Sequence, residues 1–546
     1  MPPSSKKLFR WTLAAILAFG IFLRVWVYSH HESFWKDEVG LASNFLTRDL
    51  SRIHEPLQGG QAAPIGFCQL SKLSEMALGH DEHVFWLLPL IAGIGMLFLA
   101  AGVFRKQLPN GAWLIMLAVL AFDKALITYS CIFKPYIVDA FCSLLMVGAF
   151  LGTYNKNEDR IASGHRPTLK SGAKAPSSPF DKLRVFDLRD LFARFAEWVA
   201  GHSPENNSPS CKEGARGWVS WLIYSAAGLL CLWLSYASVF VIAGLGLWQI
   251  VEAAIKKDRA RFLLSLAANL FLAAVFLWLW QTNYRLIDSR GLFKGFWAAS
   301  FAPLTLKAGS LGWYARNLGP TLGDIFGQGQ WTLLLFLAAI GALKARRENP
   351  PLLALLLPVA LTFAASWFEA YPIAERLALF WTPLLAPFIA LGIYALWKIL
   401  SQHYKGMRVV FALCVALPLL YPPVCQFFNT RDFQEIKQAA LSVRVKVKPG
   451  DVVYLHSHGE HLYHYYFTRY PLPQGVAVVD GAKADSQTLP AFIFKNFSGR
   501  HLFMLYAEPE YAIDEISLLR AAAERNGTLL ALVDLNLAGA LELQVK

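Results

Sequence analysis

The chain has 546 residues, of which 55% are hydrophobic, 14% aromatic and only 16% charged. This composition is too apolar for a soluble globular protein, and it also excludes a disordered or collagen-like chain. The net charge of +13 would suit a nucleic-acid-binding protein, but polytopic membrane proteins retain Lys and Arg on the cytoplasmic side, so the distribution of charge decides.

Apolar runs long enough to cross about 30 Å of hydrocarbon recur along the chain. They predict eleven spans, near 11–28, 84–103, 112–127, 137–153, 217–233, 236–254, 262–282, 331–343, 351–367, 378–397 and 409–424. If the N-terminus is cytoplasmic, the short cytoplasmic segments hold 15 Lys and Arg in 43 residues, and the opposite segments hold 12 in 127. This asymmetry predicts a cytoplasmic N-terminus and requires no nucleic-acid partner.

Two segments are too long and too polar to be ordinary connections between spans. Residues 154–216 are rich in Ser, Gly, Pro and mixed charges, which predicts a partly disordered cytoplasmic loop with a short helix at 188–200. Residues 425–546 alternate short apolar runs with helical patterns, which predicts a small α/β domain.

The predicted fold class is therefore an α-helical polytopic membrane protein of about eleven transmembrane helices with a C-terminal α/β domain. The transmembrane domain covers 1–424 and the α/β domain covers 425–546. Because the number of predicted spans is odd, the α/β domain is expected outside the cytoplasm.

The first predicted extracytoplasmic loop, residues 29–83, carries two acidic pairs. Asp37 and Glu38 follow the first span, and apolar residues at spacings of three and four after them predict a helix in the membrane interface. Asp81 and Glu82 precede the second span. Each pair would equally suit solvated residues at a helix start, which the helix dipole stabilises.

Asp139 is a carboxylate within an apolar run, where it would cost about 2.5 to 3.5 kcal/mol at a span centre. It is therefore expected to face protein. Two roles are open to it: a structural pair with Lys134 or Lys124, or the positioning of Lys134 for a ligand.

Four histidines lie within nine residues of the C-terminal segment, from His456 to His464. Such a cluster invites a metal site. However, His456 and His458 are expected at a strand end and His461 and His464 at a helix start, so surface histidines are the favoured interpretation and no metal site is predicted.

Three sets of motifs, in chain order and all on one predicted side, resemble the GT-C glycosyltransferases related to protein O-mannosyltransferases and aminoarabinose transferases (glycosyltransferase families 39 and 83). The first set joins Asp37-Glu38, Gln61-Ala62-Ala63-Pro64 and Gly79-His80-Asp81-Glu82. The second consists of the stretch from Tyr129 to Tyr136 together with Asp139, and the third runs from Tyr371 to Leu377.

The resemblance implies transfer of a sugar from a polyprenyl-phosphate-linked donor to a lipid, glycan or protein acceptor, at the extracytoplasmic face of a bacterial plasma (inner) membrane. It implies that Asp37 is the general base and that Glu38 orients Asp37 or the acceptor. Lys134 and Arg376 are implied ligands of the donor phosphate. A second acidic group, which orients the substrates, comprises Asp81, Glu82 and Asp139. No cofactor is implied with certainty, and a divalent cation is left open.

The alternative function is that of a non-enzymatic polytopic transporter of lipids or glycans. Transporters typically show internal repeats and charged or broken helices at mid-membrane. The sequence shows no convincing repeat, and its ionisable residues gather at span ends on one side. These features favour an interfacial enzyme surrounded by membrane lipids.

Overall fold

The computed structural model describes residues 3–154, 209–285, 292–304, 308–326, 331–404, 406–429, 433–481, 489–507 and 509–546. Most of the predicted cytoplasmic loop 154–216, including its helix at 188–200, lies outside these residues. The chain divides into two compact units. The first comprises Met1–Val27, Ala63–Leu70 and Leu88–Phe428, and the second comprises Tyr28–Ala62, Ser71–Leu87 and Asn429–Lys546.

Helices dominate the chain up to residue 428. They are α1 (Pro3–His30), α2 (Lys36–Thr47), α3 (Ile65–Leu78), α4 (Glu82–Phe104), α5 (Asn110–Phe122), α6 (Lys124–Tyr129), α7 (Tyr136–Gly152), α8 (Pro209–Leu234), α9 (Ser238–Ile255), α10 (Arg259–Leu279), α11 (Leu292–Phe296), α12 (Ala308–Phe326), α13 (Trp331–Glu348), α14 (Leu357–Trp367), α15 (Trp381–His403) and α16 (Met407–Phe428). A π-helical turn, Trp280–Tyr284, extends α10, and 3₁₀ turns lie at Ala298–Ser300, Pro350–Leu356 and Glu375–Ala378.

Seven helices within the described ranges are long and apolar enough to span a membrane, and an eighth is added if the bent pair Ser310–Phe326 and Trp331–Glu348 is one span. The bend between the two members of that pair is 82°. Three further predicted spans coincide with shorter apolar helices, Asn110–Phe122, Tyr136–Gly152 and Trp218–Leu234. Each predicted apolar run therefore falls on helical residues, although 112–127 is divided between α5 and α6 and 351–367 begins in a 3₁₀ turn. The predicted fold class of a polytopic membrane protein is confirmed.

Backbone contact between helices α13 and α15 depends on two glycines. A Cβ atom added to Gly341 would collide with the carbonyl oxygen of Phe388, and one added to Gly392 would collide with that of Leu337. Small residues allow transmembrane helices to approach this closely, and dispersion contacts then hold them together. The two helices form a tightly packed pair within the first unit.

The second unit contains a mixed sheet, whose described strands are β1 (Val452–Leu455), β2 (Ala477–Asp480), β3 (His501–Ala507), β4 (Leu529–Leu535) and β5 (Ala538–Gln544). Their order is β2-β1-β3-β5-β4. Strand β1 pairs in parallel with β2 and β3, and β5 pairs antiparallel with β3 and β4. The helices of this segment are α17 (Ile436–Lys446), α18 (Glu460–Arg469), α19 (Leu489–Asn496) and α20 (Pro509–Arg525).

Strand β5 is an element of this unit that the sequence patterns missed. Its sequence, AGALELQ, has small residues in place of the β-branched ones that mark strands, although five of its seven residues are buried. Pairing on both sides makes up for the weak local preference, since β5 lies between β3 and β4.

Helices α2 and α3 belong to the predicted loop 29–83. Helix α2 is shorter than the apolar spacing suggested, because it ends at Thr47 and the chain turns at Arg48. The buried Arg48 guanidinium donates to the carbonyl oxygens of Glu55 and Pro56, each at 2.8 Å, and so fixes that turn. The amphipathic helix is therefore limited to Lys36–Thr47, and its first turn carries the first acidic pair.

Candidate functional site

The first two carboxylates of helix α2 have different environments. Glu38 is 1% exposed, and its Oε2 atom accepts the backbone N–H of Trp35 at 3.1 Å while its Oε1 atom accepts the indole N–H of Trp86 at 2.7 Å. Asp37 is partly exposed in the same turn. Both acids gain from the positive end of the helix dipole. Glu38 is thus a fixed structural acid, whereas Asp37 is accessible from solvent.

Trp86, which donates a hydrogen bond to Glu38, packs against other aromatic rings. The Trp86 ring stacks on His31 at a centroid distance of 5.0 Å and meets Phe34 edge-on at 5.4 Å. Trp86 and Phe34 are fully buried. This packing fixes the rotamer of Trp86, and the Trp86 N–H in turn fixes Glu38.

The second acidic pair is bound to the C-terminal segment of the same unit. Glu82 is fully buried, with its Oε2 atom 3.2 Å from Lys437 Nζ and its Oε1 atom 2.8 Å from Arg469 Nη1. Arg469 Nη2 also donates to the His80 carbonyl oxygen and lies 3.7 Å from Asp81 Oδ2. Burial opposes the charge on Arg469, but the facing Glu82 carboxylate raises the pKa of Arg469 above its usual value.

A series of hydrogen bonds and ion pairs connects this cluster to helix α2. His80 Nε2 lies 3.1 Å from the Tyr465 hydroxyl, and His80 Nδ1 contacts Glu75. Burial raises the pKa of Tyr465, so its hydroxyl stays protonated and can donate to His80. Glu75 pairs with Lys72 at 2.7 Å, and Lys72 Nζ donates to the carbonyl oxygen of Phe45 in α2 at 2.9 Å.

The two predicted phosphate ligands lie in the first unit. Lys134 is buried, with 5% exposure, in the short link between α6 and α7. Arg376 lies in the 3₁₀ turn before α15, with its guanidinium carbon 5.7 Å from the Tyr136 ring centre and 6.0 Å from that of Trp297. Tyr136 follows Lys134 by two residues, so the second and third sequence motifs meet in space.

Asp139, on the first turn of α7, is 7% exposed and therefore faces protein. Its carboxylate accepts hydrogen bonds from the Ser235 hydroxyl and the Ala237 backbone N–H, just before α9. Asp139 therefore links the starts of two helices.

Arg24 is a buried charge that the sequence analysis missed. It lies inside the apolar run of α1, is fully buried, and donates to the carbonyl oxygens of Gly20, Ala121 and Leu120 at 2.9 to 3.1 Å. Asp123, which caps α6 by accepting the Leu126 N–H, contributes an attractive charge to Arg24. The available signal was a single Arg within a predicted span, where a charge is costly unless protein surrounds it.

A shallow apolar cleft lies in the first unit. Side chains from α5, α12, α13, α15 and α16 line it, and Asp123 and Lys124 are its charged lining residues. The remaining lining is dominated by Leu, Val, Phe and Pro. Such a surface suits a hydrocarbon chain better than a polar solute.

Two of the four clustered histidines of the C-terminal segment each lie beside a different carboxylate. His456 Nε2 lies 2.7 Å from Glu515, and His464 Nε2 lies 2.6 Å from Asp480. Burial lowers the pKa of His456, although Glu515 partly offsets that effect. Within the described ranges, no group of three or more His, Cys, Asp and Glu side chains is arranged to hold a metal ion.

Comparison with solved structures identifies the fold. ArnT from Cupriavidus metallidurans bound to undecaprenyl phosphate has a TM-score of 0.50 and 12% identity, and the match covers 99% of this chain and 98% of that one. The chain shares the GT-C fold of this ArnT structure. The predicted resemblance in fold is therefore confirmed, and the helices identify an integral membrane protein.

Two other solved structures are similar to this chain. ArnT from the same organism in the apo state matches with a TM-score of 0.46 and 11% identity over 99% of this chain and 98% of that one. The Archaeoglobus fulgidus oligosaccharyltransferase in the apo form matches with a TM-score of 0.43 and 13% identity over 96% of this chain and 73% of that one. No family model and no curated protein sequence matches.

Proposed function

We propose that this protein is a glycosyltransferase of the inner membrane that transfers a sugar from a polyprenyl-phosphate-linked donor to a lipid, glycan or protein acceptor on the extracytoplasmic face. The observation that carries the proposal is the contrast between the accessible Asp37 and its buried, doubly bonded neighbour Glu38. The ArnT fold supports it, because that solved relative in structure is bound to undecaprenyl phosphate.

Asp37 would act as the general base. Attack by an acceptor hydroxyl or amine on the anomeric carbon needs a carboxylate to accept the acceptor's proton as the bond to the sugar forms. Asp37 is partly exposed, so an acceptor can reach it, and Glu38 fixes the helical turn on which it lies. The acceptor thus becomes a better nucleophile without release of a free oxyanion.

Lys134 and Arg376 would bind the phosphate that leaves. As the glycosidic bond breaks, negative charge develops on that phosphate, and fixed cations stabilise the charge in a site with little water. The aromatic rings of Tyr136 and Trp297 orient the Arg376 guanidinium, whose planar fork can bind two phosphate oxygens. The apolar cleft beside Asp123 and Lys124 supplies a surface for the prenyl chain.

Transfer from a radiolabelled undecaprenyl-phosphate-linked sugar to endogenous acceptors in membranes tests the proposal. We expect Asp37→Asn to lose at least 100-fold in rate while keeping its melting temperature and its affinity for undecaprenyl phosphate. The matched control is Asp49→Asn, because Asp49 is exposed in the turn that follows the same helix. Arg376→Lys should weaken binding of undecaprenyl phosphate about 10-fold, since the charge stays but the fork is lost.

Wild-type rates in Asp37→Asn would exclude this residue as the base. A protein that binds undecaprenyl phosphate and moves it across vesicles, with no dependence on Asp37, would instead be a lipid transporter.

A further inference from the structure

Helix α2, which carries Asp37, has an N-cap residue whose side chain does not cap the helix. The N-cap residue is Trp35, whose side chain makes no capping hydrogen bond. Ser, Thr, Asp and Asn are preferred at this position because their side chains accept the free N–H groups of the first turn. Glu38 satisfies the N–H of Trp35, but the N–H of Lys36, the first residue of the helix, needs another acceptor.

That acceptor comes from the C-terminal segment of the same unit. The side-chain oxygen Oε1 of Gln434 accepts the Lys36 N–H at 2.7 Å, and Gln434 is 3% exposed. Gln434 therefore does for α2 what an N-cap side chain does in an ordinary helix, although it lies 398 positions away in sequence. The next residue along α2 is Asp37.

Two further contacts hold the residues before the helix. The Tyr466 hydroxyl accepts the backbone N–H of Phe34 at 3.0 Å, and Ser33 Oγ accepts the N–H of Lys437 at 3.2 Å. Tyr466, Phe34 and Ser33 are all buried. Lys437 also binds Glu82, so the start of α17 contacts the second acidic pair as well as the residues that precede α2.

We propose that Gln434 is a positioning residue for Asp37, and that the C-terminal α/β domain thereby forms part of the catalytic unit. This inference rests on the proposed function. General-base catalysis needs the carboxylate and the acceptor in near-attack geometry, and a displacement of about 1 Å costs on the order of 100-fold in rate. Removal of the cap loosens the turn that carries Asp37 while the Asp37 carboxylate itself is retained.

The test compares two substitutions of Gln434 in the full-length protein. Gln434→Met keeps the length of the side chain but has no oxygen to accept the Lys36 N–H, whereas Gln434→Glu keeps an acceptor. Gln544→Met is the matched control, because Gln544 is an exposed Gln of β5 whose side chain contacts Arg500. Each variant is assayed for sugar transfer from the undecaprenyl-phosphate-linked donor, for its melting temperature and for hydrogen exchange in the peptide covering residues 34–41.

We expect Gln434→Met to lower kcat by 10- to 100-fold with the donor KM unchanged, and to speed amide exchange at the start of α2. Gln434→Glu should restore most of kcat and of the protection, and Gln544→Met should leave kcat, KM and exchange at wild-type values. This result would distinguish positioning from general destabilisation. Destabilisation would lower the melting temperature whether or not the substituted side chain can accept the Lys36 N–H.

Unchanged exchange in Gln434→Met, or equal kcat values for Gln434→Met and wild type, would overturn the inference. If the wild type transfers no sugar, the proposed function fails; faster exchange in Gln434→Met alone would then support the capping contact. If the wild type is active but Asp37→Asn is equally active, Asp37 is not the base and Gln434 has no catalytic residue to position.

Discussion

The two members of each acidic pair have different environments, because only one of them is buried. Asp37 and Glu38 are equivalent in sequence, but Glu38 is 1% exposed with both carboxylate oxygens bonded, whereas Asp37 is partly exposed. Asp81 and Glu82 show the same contrast, since the Asp81 side chain is 47% exposed and the Glu82 side chain is fully buried. In each pair one acid supports the structure and the other is accessible.

Substitution of Glu38 by Gln should therefore affect stability, unlike substitution of Asp37 by Asn. An amide retains one acceptor for Trp86, but its NH₂ group would face the N–H of Trp35, which leaves a buried donor without an acceptor. The expected loss is about 1 to 3 kcal/mol in the free energy of unfolding. Thermal unfolding in detergent measures it, with Asp37→Asn as the control, and equal melting temperatures for the two variants would contradict the assignment.

The candidate site residues could be found from sequence, but not their roles. An acidic pair beside a span is a local pattern, which singled out Asp37 and Glu38, whereas Lys134 and Arg376 came from the resemblance to the GT-C glycosyltransferases. The sequence could not tell which member of an acidic pair is buried, because Trp86 and Arg469 reach these carboxylates from distant positions. Arg24 was missed because an apolar run hides a single charge whose partners are backbone carbonyls.

Helices and strands were predictable where hydrophobic periodicity is local. Each predicted span falls on helical residues, and four of the strands lie on predicted apolar runs. Strand β5 was not predicted, since its preference comes from pairing with β3 and β4. The association of α2 and α4 with α17 and α18 was not predicted either, because a buried ion pair between distant segments leaves no periodic signal.

The contact of α4 with α17 and α18 should be measurable through Glu82. Gln at this position leaves Lys437 and Arg469, whose side chains are 18% and 12% exposed, without their carboxylate. Loss of one partner of a buried pair costs about 3 kcal/mol. We expect a lower melting temperature and faster hydrogen exchange in α18 for Glu82→Gln, whereas Asp81→Asn should stay near wild type. Unchanged exchange in α18 would show that the pair is dispensable.

The whole molecule consists of two units that the linear domain division does not anticipate. The second unit combines parts of the first predicted loop with everything from Asn429 to Lys546. Because these segments pack together, they are expected on the same side of the membrane. The prediction that residues 425–546 lie outside the cytoplasm therefore applies equally to Asp37.

Thiol labelling can test this orientation. With Cys211, Cys414 and Cys425 replaced by Ser, Ala491→Cys places a thiol on the exposed face of α19, and it should react with a membrane-impermeant maleimide in intact spheroplasts. Arg347→Cys, in a segment predicted to be cytoplasmic, is the control and should react only after lysis. If the Ala491→Cys variant is also labelled only after lysis, the proposed topology is wrong and must be reversed.

The second unit combines segments that are far apart in the sequence. This separation determines when, during synthesis, the turn that carries Asp37 can be held in place. His80 and its partner Arg469 are 389 positions apart, which a ribosome covers in roughly 20 to 80 s. A nascent chain that has just completed α16 carries Asp37 but has not yet made Gln434, Lys437 or Arg469. Strand β5, which lies between β3 and β4, is made later than all three of these residues. The turn that carries the proposed base is therefore held in place only after the C-terminal segment has been made, and a chain terminated after α16 would lack these contacts.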